Sequence, residues 1–210
     1  MCGKTSMINM GFTHDRYPAG THMCLVYCNE LERQQTISKF VEGGLSAGER
    51  VSYFSDEVDP PQVKKWLADL GVDLPVETSE DLLAISTAAD SYYPLGHFDP
   101  DSMIDSLKTF FDQAMAAQCP ACRGTGEMSW ALKNVPGSDR LMEYESRLND
   151  LLIQYPITAL CQYDARKFDG ATILDCLKVH PYMIVHGQVL KNPYYMKTDV
   201  FLNELAARKQ

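Results

Sequence analysis

The spacing of apolar positions changes several times along the chain, and each change marks an element. His22 to Cys28 is a compact apolar run rich in strand formers. From Asn29 to Val41 the spacing becomes helical, with Leu31, Ile37, Phe40 and Val41 apolar among charges. Gly43, Gly44 and Gly48 are expected to end that helix, and Val51 to Ser55 to form a second strand before Asp56 and Glu57. Strand, helix, glycine turn and strand make a βαβ unit with a right-handed crossover. Such a unit lines up the strand ends along one edge of a parallel sheet, where open α/β sheets take their ligands.

Pro60 and Pro61 suit a helix start, and Val63, Trp66, Leu67 and Leu70 share a face up to Gly71. Leu82 to Ile85 is expected as a third strand. Residues 87–100 then read as a loop holding Tyr92, Tyr93, His97 and Phe98. Loops lie at the surface, so these rings either cover the sheet edge or close over a ligand. Asp99 or Asp101 caps a helix running to about Ala117, with Met103, Leu107, Phe110, Phe111 and Met115 on its apolar face. Gly126 to Ala131 is expected as a fourth strand, carrying Glu127 and Trp130. A helix over Asp139–Gln154 and a strand over Ile157–Tyr163 follow. The strand is almost continuously apolar, as suits one covered on both faces. A short helix over Ala171–Leu177, a late strand over Met183–Val189 and a closing helix over 198–208 complete the pattern. Residues 1–19 read as an irregular leader and 20–210 as one domain. Gly3-Lys4-Thr5 imitates the end of a phosphate loop, but no strand precedes it and the earlier glycine is missing.

Charge narrows the function classes. The 210 residues carry a net charge of −9, which argues against nucleic acid as a direct partner. No stretch approaches the ~20 apolar residues of a membrane helix, and the first residues lack a signal-peptide core, so a cytoplasmic protein is expected. Seven scattered cysteines read as free thiols. Cys119-Pro-Ala-Cys122 has thioredoxin-like spacing, but it lies between a helix end and a strand start, without the helix N-terminus that would activate a thiol. The five histidines do not cluster in sequence; His22 and Cys24 share a strand face, His180 and His186 flank the late strand, and a lone strand histidine reads as a hydrogen-bonded structural residue rather than part of a three-dimensional cluster.

Several strings carry a family resemblance. FVEGGLSAGERVSYFSDE (40–57) resembles the segment after the phosphate loop of RecA-like and KaiC-like ATPases. The loop itself, GxxxxGK(S/T) in that superfamily, is replaced here by Tyr27 to Gln35, with neither glycine nor lysine. GTHMCLVY, GHFDPDSM, RGTGEMSWAL, LMEYESRLNDL, ALCQYDARKF and VHPYMIVHGQVLKNPYY together resemble the MEDS domain, a sensory domain of bacterial and archaeal signalling proteins, over roughly residues 15–195. The resemblance implies a three-layer α/β/α fold with a RecA/KaiC-like, mainly parallel sheet. It also implies detection of small hydrocarbon derivatives such as methylated or halogenated one-carbon compounds.

No catalytic signature is present, so a non-enzyme without cofactor or bound metal is expected. The expected ligand site is a strand-end crevice rimmed by Tyr53, Glu57, Tyr93, Phe98, Glu127, Trp130, Gln162 and Tyr163. Aromatic walls with a few polar groups suit a small molecule. The alternative is that the rings fill the crevice themselves. Output would pass to a separate signalling or regulatory protein, or through a homo-oligomer. Two competing readings are a divergent ATPase or phosphotransfer protein using Asp56, Glu57, Glu127 and Asp164, and a metal or redox sensor built on Cys119 and Cys122.

Overall fold

The computed structural model describes residues 6–75 and 82–208. Gly3-Lys4-Thr5 lies outside them. The strands are β1 (Met7–Asn9), β2 (Arg16–Pro18), β3 (His22–Tyr27), β4 (Arg50–Ser55), β5 (Leu83–Thr87), β6 (Cys122–Glu127), β7 (Ile157–Asp164), β8 (Tyr182–Val185) and β9 (Gln188–Lys191). The α-helices are α1 (Glu30–Ser46), α2 (Pro60–Asp69), α3 (Ala88–Tyr92), α4 (Pro100–Ala116), α5 (Leu141–Gln154), α6 (Gly170–Val179) and α7 (Thr198–Ala207). Seven strands form one sheet in the order β5-β4-β6-β7-β3-β8-β9, parallel except for the β8–β9 pair. One face packs on α1 and α2 through Ile37, Phe40, Val41, Val63, Trp66 and Leu67. The other packs on α3 to α7 through Tyr92, Leu107, Tyr144, Leu148, Cys176 and Phe201. The fold is the expected three-layer α/β/α arrangement.

Five element boundaries depart from the sequence reading, each for a local reason. Helix α1 does not stop at Gly43 and Gly44 but runs through both. A Cβ on Gly44 would stand 2.8 Å from Arg123 Cδ and from Val51 Cγ2. Glycine is there for close approach, not as a terminator. The expected strand over Gly126–Ala131 is shifted: β6 ends at Glu127, and Met128–Lys133 is a 3-10 helix that closes on Asn134 in the left-handed region (φ 55°). Within the aromatic loop, Thr87 caps the short α3, its hydroxyl accepting from the Asp90 amide. The late strand is a hairpin, turned at His186 and Gly187, both with positive φ. The leader is not irregular throughout, because β1 and β2 pair antiparallel and bury Ile8.

The centre of the sheet is pinned by a buried ion pair. Arg123, on β6, donates from Nε and Nη2 to the two carboxylate oxygens of Glu49, at 2.7 Å each. Its remaining donors reach the carbonyls of Phe40 and Asn9 at 2.9 Å, tying the leader and α1 to the sheet. Such a bidentate pair is worth most when every donor is used.

Candidate functional site

Strand β6 reads CRGTGE, and its alternation decides what lies on each face. Arg123, Thr125 and Glu127 point toward α1, while Cys122, Gly124 and Gly126 point toward α3, α4 and α5. The expected crevice residues are therefore divided between two sites by the sheet itself.

On the α1 side, Tyr53, Glu127 and Gln162 do come together at the strand ends, around a residue that the sequence reading did not include. The Arg33 guanidinium, from the second turn of α1, donates from Nη1 to Tyr53 Oη (2.9 Å), Glu127 Oε1 (3.1 Å) and Gln162 Oε1 (2.8 Å). Glu30 pairs with its other edge. Tyr53 donates to Glu127 Oε1 at 2.6 Å, and Gln162 donates to Thr125 Oγ1 at 2.9 Å. Glu127 Oε2 accepts from the amides of Asp56 and Glu57, both at 2.8 Å. Burial opposes the Arg33 charge, but Tyr53, Glu30 and Glu127 outweigh it and raise its pKa. Burial and the Glu127 charge raise that of Tyr53. These groups satisfy one another, so this half of the crevice is occupied by the chain's own arginine. Arg33 lies among the charges of an amphipathic helix, and nothing in its local spacing marks it as buried. Its burial was the missing fact.

The replaced phosphate loop has equally definite contacts. Asn29 caps α1, its side-chain oxygen accepting from the amides of Leu31 and Glu32 at 2.9 and 3.2 Å. Glu30 and Glu32 add negative charge to the same first turn. A helix start that binds phosphate needs free amides and no such charge.

On the opposite face, Tyr93, Phe98 and Trp130 form the expected aromatic group, joined by Tyr92 and Tyr144. Trp130 is fully buried; it stacks on Tyr92 (centroids 5.0 Å apart, 20° between planes) and lies 4.7 Å from Phe98 and 5.7 Å from Tyr93. Its indole nitrogen has no partner among the described residues. Tyr163 is on this face too, but deeper, donating to Glu145 Oε1 at 2.8 Å. Glu57 joins neither group: it is half exposed and pairs with Lys167 at 2.6 Å, whose hydrogen bond holds its carboxyl below the usual range. Asp56 takes Lys133 and the Ser129 hydroxyl, and Asp164 takes Arg166, so the carboxylates at the strand ends have separate partners.

Beneath the aromatic group, the two glycines of β6 leave a small apolar hollow of about 30 Å³. Phe54, Tyr92, Leu107, Tyr144 and Cys161 line it with Gly124 and Gly126. A single water needs roughly 10–15 Å³ measured this way, so the hollow suits a molecule of a few heavy atoms. The Cys119–Cys122 motif is split by burial: Cys122 is buried in the core, while Cys119 is partly exposed in the turn before β6. Burial pushes the Cys122 thiol up to about 12.

Comparison with known proteins converges on one family. The family model described as the MEthanogen/methylotroph, DcmR Sensory domain matches residues 21–181. A transcriptional repressor, DcmR, from Methylorubrum extorquens is 28% identical over 160 residues, covering 76% of this chain and 57% of the repressor. The chain thus spans little more than half the length of that relative. Among solved structures, a KaiC-like protein from Pyrococcus horikoshii superposes with a TM-score of 0.60 at 17% identity, covering 86% of this chain and 80% of that one. The flagellar accessory protein FlaH from Methanocaldococcus jannaschii gives 0.62 at 11% identity, covering 89% and 84%. These two likenesses bear on the fold, which is RecA/KaiC-like. With the family match spanning most of the chain, the protein belongs to the MEDS family of sensory domains.

Proposed function

We propose that this sensory domain binds a small, largely apolar one-carbon derivative, methylated or halogenated, in the hollow over Gly124 and Gly126. On this reading it is not an enzyme; it passes its signal to a separate regulatory protein. The observation that carries the reading is the hollow itself. It sits in the centre of the sheet, where Gly124 and Gly126 of β6 put no side chain on that face, and aromatic rings and one thiol bound it. Size favours a compact ligand, and ring faces favour a polarisable one. Tyr93, Phe98 and Trp130 then act as the outer wall through Tyr92, while Tyr53, Glu127 and Gln162 belong to the Arg33 network on the other face. The acidic chain has no evident attraction for nucleic acid phosphates, which supports a protein partner for output.

Trp130 fluorescence tests this, with Trp66→Phe removing the second tryptophan. A panel of halomethanes, methylated amines, thiols and alcohols should include one that shifts the emission saturably. A Cβ on Gly124 would meet only Ser52 O, at 3.9 Å, so Gly124→Val can enter the hollow without striking a neighbour at once. That variant should keep its circular dichroism and lose the response. A response that survives Gly124→Val, or a panel with no responding member, refutes the site.

A further inference from the structure

A second cluster, outside the strand-end groups, has the form of a metal centre. His22 at the start of β3, Glu145 on α5, Cys161 in β7 and His180 just after α6 converge in the interior, and their side chains are essentially inaccessible to solvent. His22 Nε2 lies 3.2 Å from Glu145 Oε2, and His180 Nε2 lies 3.5 Å from the same oxygen. Cys161 Sγ lies 3.4 Å from that oxygen and 3.5 Å from His22 Nε2. All four atoms fall within 4.8 Å of one another. Metal–ligand bonds of 2.0–2.3 Å in a tetrahedron place the ligand atoms about 3.3–3.8 Å apart, close to the four separations of 3.2–3.5 Å given above.

The hydrogen bonds behind these atoms point the same way. His180 Nδ1 is 2.7 Å from the carbonyl of Cys176, which can only accept, so the proton is on Nδ1. Asn149 donates from its amide nitrogen to the carbonyls of Val179 (2.8 Å) and Ser146 (3.1 Å). Its oxygen is thereby turned to His22 Nδ1 at 3.0 Å, which puts that proton on Nδ1 as well. Both Nε2 atoms therefore face the same carboxylate oxygen, and His180 Nε2 has no hydrogen-bond partner among the described residues. Such a convergence needs positive charge between the rings and the carboxylate, which a proton on one Nε2 supplies in the metal-free chain and a metal ion would supply in its place. An imidazole whose far nitrogen donates to a carbonyl is the usual support of a metal ligand. Tyr163 supports the carboxylate in the same manner from Oη to Oε1.

We propose that His22, Glu145, Cys161 and His180 bind one divalent transition metal ion of zinc-like softness. Two neutral imidazoles, one carboxylate and one thiolate balance its charge, so a neutral unit is buried. Binding forms the metal–sulfur and metal–nitrogen bonds and releases the Cys161 thiol proton, together with any proton on an Nε2, to solvent. Cys24 and Cys176 lie beside His180 but are outside the set, because Cys176 Sγ faces Nδ1 (3.7 Å), the nitrogen already engaged by a carbonyl. His22 and Asn149 form part of the wall of an open groove of about 750 Å³ between Gly20, Pro156 and Pro181, the side on which the cluster lies nearest to open space. Cys161 also borders the apolar hollow, so the ion would lie next to the proposed ligand site without depending on it.

Cobalt(II) is the probe. The full chain, stripped with a chelator under reducing conditions and then freed of it, should take up one equivalent of Co²⁺. The visible bands of tetrahedral cobalt and a near-ultraviolet thiolate charge-transfer band should appear, and the thermal midpoint should rise as metal is added. Cys161→Ser should remove the charge-transfer band. Asn149→Ala, which removes only the support of His22, should weaken binding roughly 10- to 100-fold. Cys28→Ser/Cys119→Ser should leave stoichiometry and spectrum unchanged. Three results overturn the proposal: no stoichiometric uptake by the folded wild-type chain, a charge-transfer band that survives Cys161→Ser, or a spectrum lost in Cys28→Ser/Cys119→Ser. Each of these readings is independent of the fluorescence response to one-carbon compounds.

Discussion

Arg33 holds the α1 face of the strand ends together, and its removal should show how much. A buried pair broken by removing one partner costs about 3–5 kcal/mol, because the remaining charge stays desolvated. Arg33→Met should therefore lower the unfolding free energy in urea by about that amount. Adding Glu127→Gln should return part of the loss, since the uncompensated carboxylate is then gone. If the double variant is as unstable as the two single losses added together, the pair is not the unit described. Cys122 gives a prediction in pH. Its thiol is pushed up to about 12 by burial and, next, by the Glu49 charge. A thiol whose pKa is higher folded than unfolded contributes stability that is complete below the unfolded value. That contribution is lost as pH rises from about 9 toward 12. Stability should fall through this alkaline window, and Cys122→Ala should make the fall shallower. Replacing Cys119 and Cys122 together by serine is consequently not neutral: residue 122 carries a core cost and residue 119 little.

At the scale of elements, two glycines can be tested against opposing expectations. Helix propensity alone would make Gly44→Ala stabilising by about 1 kcal/mol. The contacts at 2.8 Å from Arg123 and Val51 reverse the sign, because Arg123 is fixed by Glu49 and two carbonyls and has no freedom to yield. Gly44→Ala should destabilise by about 1–3 kcal/mol, in the range of overpacking in a core. Gly126→Ala meets Tyr92 Oη at 2.2 Å, the severest contact, with Met128 Cε at 3.0 Å and Tyr92 Cζ at 3.3 Å behind it. Tyr92→Phe should relieve it, so a double-mutant cycle in chemical denaturation should give a favourable coupling between the two changes. Additive losses would mean that the clash is taken up elsewhere in the aromatic group.

For the whole molecule, the RecA/KaiC-like frame raises the question of nucleotide. The helix start where phosphate would rest is capped by Asn29 and carries Glu30 and Glu32, and the strand-end space beside it holds Arg33. Calorimetric titration with Mg-ATP should give no binding heat, while a micromolar dissociation constant would restore the ATPase reading. Thiol accessibility tests the fold as a unit. Cys28 is exposed and Cys119 partly so, whereas Cys24, Cys122, Cys161 and Cys176 are buried. Among these six, mass spectrometry after brief alkylation should find label on the first two. The other four should react together, at the rate of global opening. No helix among the described residues is long and apolar enough to cross a membrane.

Periodicity in the chain determined most of the architecture. The period-2 and continuous apolar runs place β3, β4 and β7, and the helical spacing places α1, α2, α4 and α5, because burial of a face dictates those repeats locally. The replaced phosphate loop and the family strings were legible for the same reason: they are contiguous. The fate of the strand-end residues was decided only in three dimensions. Tyr53, Glu127 and Gln162 meet at the strand ends, yet whether they face a ligand or Arg33 depends on which way one helical side chain turns. Tyr93, Phe98 and Trp130 fall on the other face because β6 stops at Glu127 and the chain coils into a 3-10 turn. The cluster of His22, Glu145, Cys161 and His180 draws on four elements separated by up to 158 residues. Nothing in the sequence around any one of its members points to the other three. Periodicity reports which face of an element is buried, whereas the groups that meet across that buried face are set by strand order and register.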